Sequence, residues 1–165
     1  MTIAFNADEV FRMAERIESD AAAFYRKAAA THSRECDCGF LLRLAAMEDE
    51  HRKLFAALRD ELSDKEKELT AYDPHEEATL YLSAMADTHG GEGSPSVATS
   101  LTGRETMEQI LRLAIGLEKK SVLFYLGIKD MVSQKLGKAR IDRIIHEEKG
   151  HIVILSRELH IVRNG

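Results

Sequence analysis

Apolar residues return every three to four positions over most of the chain, the spacing of one buried face on an α-helix. The first stripe runs through Val10, Phe11, Ala14, Ala21, Ala22, Tyr25 and Ala28. Asn6 followed by Glu9 has the form of a capping box, so a helix is predicted over about residues 7 to 32. The stretch Thr31-His32-Ser33-Arg34-Glu35-Cys36-Asp37 breaks the pattern. Leu41, Leu44, Ala45, Phe55 and Leu58 then mark a second helix that runs to about Leu62 and at most to Leu69. Asp73-Pro74 reads as a cap with proline at the first helical position, leading a shorter apolar segment through Leu80, Leu82 and Met85. His89-Gly90-Gly91-Glu92-Gly93-Ser94-Pro95-Ser96 interrupts it as a surface loop. Thr102 with Glu105 has the form of a second capping box, opening a helix with Leu111, Ala114, Ile115, Val122, Tyr125 and Ile128 on one side. The chain turns around Gly137, and Ile141, Ile144, Ile145, Ile152 and Leu155 carry a last helix to near Asn164-Gly165.

The pattern predicts an all-α fold: an antiparallel four-helix bundle with a long crossover carrying an extra short helix. One domain over residues 1 to 165 is expected, with helical hairpins at about 7 to 62 and 103 to 160 and the crossover at about 63 to 102. A chain of 165 residues buries a core without staples, so any metal would serve function rather than folding. The net charge of -5, with signs interspersed, offers no basic stripe for phosphates, which argues against nucleic acid and anionic membranes as partners. No segment resembles a signal peptide or a membrane span, and a cytoplasmic protein is expected. Cys36 and Cys38, the only two cysteines, make neither a disulfide framework nor paired Cys-x-x-Cys sites. They are expected to be reduced thiols.

The polar residues on the apolar stripes change the picture. Residues 17 to 55 align without a gap on residues 117 to 155: Glu18 with Glu118, Tyr25 with Tyr125, Glu48 with Glu148 and His51 with His151 all lie one hundred positions apart. Apolar pairs follow, as with Ile17 and Leu117, Leu44 and Ile144, Leu54 and Ile154. Two hairpins packed about a pseudo-twofold axis are implied, since each alone would leave half a core exposed. Glu18 falls between Ala14 and Ala21, Glu118 between Ala114 and Val122, and each Glu-x-x-His sits among core positions. Four buried carboxylates without partners cost several kcal/mol each, by a rough general estimate. No lysine or arginine lies on these stripes at the same level. Two divalent cations would balance the four charges, with two neutral imidazoles as further ligands. Glu-x-x-His brings both side chains to one side of a helix, and a Glu from each of two helices with Glu-x-x-His from each of the other two is the di-iron carboxylate pattern. Glu18, Glu48, His51, Glu118, Glu148 and His151 are therefore the candidate ligands, for two iron ions, or for manganese or a mixed pair, which accept the same donors.

At these residues the chain resembles the ferritin-like superfamily, and within it the rubrerythrin-like branch, over about residues 7 to 62 and 103 to 160. The resemblance implies that Glu18 and Glu118 are terminal ligands, that Glu48 and Glu148 bridge the ions, and that His51 and His151 each bind one. It makes Tyr25 and Tyr125 donors to ligand carboxylates; aromatic core filling is the other role open to them. Two departures stand out. The rubredoxin-like domain of rubrerythrins is absent, so a separate protein would donate electrons. Where rubrerythrins carry a further Glu, three residues after the third, this chain has Ser121, which leaves a six-ligand set just as similar to bacterioferritin-type ferroxidase centres.

The leading expectation is redox chemistry on peroxide or dioxygen. Iron handling, with ferrous iron as substrate, is the second. A metal-free interaction module binding a partner through the loop near Gly90 to Ser96 is the third, and it leaves the buried carboxylates unexplained. A homodimer or larger homo-oligomer is the expectation from symmetry. His146 and Glu147 point away from the ligand face and read as solvated, with a supporting role behind the ligands as the alternative, and His32, His75, His89 and His160 read as surface residues.

Overall fold

In a computed structural model of the chain, residues 6–31, 35–64, 67, 77–88, 97–131 and 137–165 are described. They form six helices and no strand: α1 (Ala7–Thr31), α2 (Glu35–Asp60), α3 (Glu77–Thr88), α4 (Val97–Ser100), α5 (Met107–Met131) and α6 (Lys138–Asn164). Four are long, and they make the bundle. The expected proline cap at Asp73-Pro74 and the loop from His89 to Ser96 lie outside the described residues.

The cap of α1 is the expected one. Asn6 N–H donates to Glu9 Oε2 and Glu9 N–H to Asn6 Oδ1, both at 2.9 Å, which satisfies amides that have no partner inside the helix. The start of α5 differs from expectation. Thr102 and Glu105 do bond to each other, but Gly103 between them has a φ of 82°, a left-handed conformation that turns the chain before any helix begins. The helix opens one box later: Thr106 N–H donates to Gln109 Oε1 at 2.8 Å, and Gln109 N–H to Thr106 Oγ1 at 3.3 Å. The four-residue α4, packed on α1, has no counterpart in the periodicity. In α3, Leu82 is buried as expected while Leu80 is largely exposed.

α1 packs along α2 and α5 along α6. Two apolar clusters show how they run. The first joins Val10, Phe11 and Ala14 at the start of α1 to Phe55 and Leu58 near the end of α2, to Val122 and Ile128 late in α5 and to Ile141, Ile144 and Ile145 at the start of α6. The second joins Phe24, Tyr25 and Ala28 to Leu41 and Leu44, and to Ile110, Leu111, Ala114 and Leu155. The two helices of each hairpin are therefore antiparallel, α2 and α5 run parallel across the long crossover, and the two clusters fill opposite ends of the bundle. Between them lies a belt of buried polar side chains.

Candidate metal centre

That belt holds Glu18 from α1, Glu48 and His51 from α2, Glu118 from α5, and Glu148 and His151 from α6, none of them more than 3% exposed. Each sits on the inward face because its helical neighbours do. Glu48 and His51 lie within one turn of the buried Leu44, Ala45 and Phe55, and Glu148 and His151 likewise lie among Ile144, Ile145 and Leu155.

The six groups converge with the twofold correspondence that the repeat suggests. His51 Nδ1 lies 2.9 Å from Glu148 Oε1, 3.3 Å from Glu48 Oε2 and 3.7 Å from Glu18 Oε2. His151 Nδ1 lies 3.0 Å from Glu148 Oε2, 3.2 Å from Glu48 Oε1 and 3.8 Å from Glu118 Oε2. The two imidazoles face each other, with centroids 5.6 Å apart and planes at 21°. Two overlapping sets result: Glu18, Glu48, His51 and Glu148, and Glu48, Glu118, Glu148 and His151. Within each set, one ligand atom per residue lies within 4.8 Å of all the others, and Glu48 and Glu148 belong to both.

Tyr25 and Tyr125 surround this cluster in crossed fashion. The Tyr25 hydroxyl donates to Glu118 Oε1 and the Tyr125 hydroxyl to Glu18 Oε1, so each phenol reaches into the opposite hairpin. Both are also core residues, fully buried, with Phe24 and Phe124 edge-on at 5.4 and 5.9 Å. Burial, and then the carboxylates they face, push both phenols well above their usual range, so they remain donors.

Burial also raises the carboxyls of Glu18 and Glu118, and the charges of Glu148 and Glu48 push them further up. The imidazoles go the same way for another reason: burial acts to lower them, but the surrounding carboxylates outweigh it, raising His51 strongly and His151 to about 12. Glu148 is disfavoured as an anion by burial yet falls to about 2, because both histidines face it. Protons favoured on Glu18, Glu118, His51 and His151 offset the negative charge of the cluster. The balance is imperfect, since Glu48 Oε1, both Glu148 oxygens and both Nδ1 atoms are buried without an aligned hydrogen bond. Atoms this close, inward-facing and unsatisfied are what a pair of cations would complete. The donor set, four carboxylates and two imidazoles, suits divalent iron or manganese.

No family model and no curated protein matches the sequence. The structure does match a solved one, a Thermotoga maritima protein provisionally described as a ferritin-like diiron-carboxylate protein, with a TM-score of 0.70 and 20% identity over 95% of this chain and 96% of the other. The fold is ferritin-like. Within this fold the buried cluster of Glu and His has the make-up of a site for metal ions. Among the described residues, no helix of this ferritin-like chain is long and apolar enough to cross a membrane.

Two residues next to the candidate ligands on α6 part company. His146 is exposed, as the pattern implied. Glu147 is not simply solvated: its Oε2 lies 2.9 Å from His51 Nε2, on the side of the ring away from the cluster, while its Oε1 accepts from Arg143 Nε at 2.8 Å. Sequence reading placed it by its own helix face, and the ring that it meets comes from α2. Ser121, the noted departure from the rubrerythrin pattern, is buried. His160 is exposed beside Asn164, and His32, His75 and His89 lie outside the described residues. Cys38 Sγ donates to the Ala29 carbonyl at 3.2 Å, and the side chain of Cys36 lies outside the description.

Proposed function

We propose that the protein is a non-haem di-iron protein of rubrerythrin-like type that reacts with peroxide or dioxygen at a carboxylate-bridged centre. The observation that carries this reading is the sharing of Glu48 and Glu148 between two sets of inward-facing, unsatisfied ligand atoms. Glu18 and His51 would hold one ion, Glu118 and His151 the other, and Glu48 and Glu148 both. Iron held there supplies single-electron chemistry and open positions for small oxygen species.

The rest of the work falls to this chain's own side chains. Tyr25 and Tyr125 fix the carboxylates of Glu118 and Glu18 and keep their protons, which orients the outer ligands. The apolar clusters at either end keep bulk water from the belt, so charges inside it act on one another with little screening. Burial and the neighbouring carboxylates favour protonation of Glu18 and Glu118 when no cation is bound, so ion binding would displace those protons. The 165 residues contain no Cys-x-x-Cys redox site, so electrons would be supplied from outside them.

The test is an anaerobic load of ferrous iron at about two per chain, followed by one equivalent of peroxide. Prompt oxidation of the bound iron is expected, and iron that stays ferrous would overturn the reading. Ser121 favours a second reading, since it leaves six ligands without the extra glutamate: iron handling, in which ferrous ions are substrate. Under that reading chains assemble into a closed shell and retain many irons each. Light scattering combined with iron analysis separates the two.

A further inference from the structure

The twofold correspondence of the centre fails at one place, behind the histidines. His51 and His151 present Nδ1 to the carboxylates at closely matched distances. Their outer nitrogens differ. His51 Nε2 meets Glu147 Oε2 at 2.9 Å, and that carboxylate is held in turn by Arg143. His151 Nε2 is buried and has no hydrogen-bond partner. One hundred positions before Arg143 stands Arg43, so the arginine is duplicated, but one hundred before Glu147 stands Met47. A thioether has no charge to offer an imidazole N–H.

A histidine that binds a metal through Nδ1 carries its proton on Nε2. Tying that N–H to a carboxylate fixes the tautomer and the ring plane and makes the inner nitrogen a stronger donor. His51 has this support and His151 lacks it. We propose that Glu147 is a positioning residue that makes the two metal positions inequivalent: the His51 position binds tightly and fills first, and the His151 position exchanges its ion readily. A centre built this way retains one ion while the other comes and goes. The inference rests on the metal-binding reading above and adds an order of filling that the ligand list alone does not contain.

Cobalt(II) is the probe, titrated anaerobically into metal-stripped protein against a competing chelator and followed by its visible bands. The parent protein should bind two ions in separate steps. Glu147→Gln keeps the size and removes the charge. It should weaken the first step by about 10- to 100-fold, change the bands of the first ion, and leave the second step in place. Met47→Glu supplies the missing carboxylate behind His151 and should tighten the second step, narrowing the gap from the other side. Charge repulsion between ions would also give two steps, but it would survive Glu147→Gln, so an unchanged gap overturns the proposal. Parallel weakening of both steps, with a lower unfolding temperature of the stripped variant, would show a merely structural role and overturn it as well. Failure of the parent to bind cobalt at all would instead sink the metal reading itself, and this inference with it.

Discussion

Glu118 and Glu18 are proposed ligands whose surroundings favour the uncharged carboxyl, through burial first and the nearby Glu48 and Glu148 charges second. Glu118→Gln therefore imitates the state that the metal-free protein already prefers. Its unfolding midpoint without metal should barely move, whereas its affinity for a divalent ion should fall by at least roughly tenfold; melting curves with and without ion make the comparison. Tyr25→Phe behaves differently, because it leaves a buried Glu118 oxygen without its donor. A loss of about 1–3 kcal/mol in urea unfolding is expected, with a similar loss for Tyr125→Phe against Glu18. At this scale the sequence was highly legible. Six polar residues on apolar stripes, repeated at a fixed offset, had few physical explanations, and the structure brings all six together. Glu147 was not legible, because its partner His51 sits ninety-six residues away on another helix and nothing local marks the pair.

Helix ends follow local chemistry, and there the reading was right at α1 and early by several residues at α5. Thr102 and Glu105 satisfy the same sequence rule as Asn6 and Glu9, yet the left-handed Gly103 between them ends the motif as a turn. Thr106 is the working cap. Thr106→Ala should cost about 1 kcal/mol, read as a lower denaturant midpoint. Phe24 and Phe124 were missed as core residues because each lies beside the stripe rather than on it; in a bundle, a helix touches two neighbours and buries more than one line of residues. Docking of α3 also depends on a feature that periodicity does not carry. Tyr81 lies where a side chain on Gly127 would be, its Cε1 2.5 Å from an ideal Cβ there, and its hydroxyl donates to the Leu123 carbonyl. Gly127→Val should displace Tyr81 and cost about 1–3 kcal/mol. Faster amide exchange confined to α3 would identify the displaced element.

The response of the molecule to pH follows from the same six groups. In the unfolded chain the imidazoles titrate near 6.5, while in the fold His51 is raised strongly and His151 to about 12. Their contribution is complete below pH 6.5 and is lost as pH climbs toward the folded values. Glu18 and Glu118 act in the same direction: the unfolded chain ionises them around 4.5 and the fold resists, so stability drains away as pH rises above that value. Glu148 opposes them, with a contribution complete above 4.5 and lost as pH falls toward about 2. The metal-free protein should therefore melt highest near pH 4.5 and progressively lower toward pH 8. Ion binding must displace those protons, so affinity should rise with pH and proton release should appear in weakly buffered titrations. The crossed phenols add a consequence for loading. Tyr25 steadies a ligand on the far side, and Tyr125 returns the favour, so neither half of the chain commands its own outer carboxylate. Damage anywhere along that seam would be shared, and partial disassembly would leave no hairpin still competent on its own.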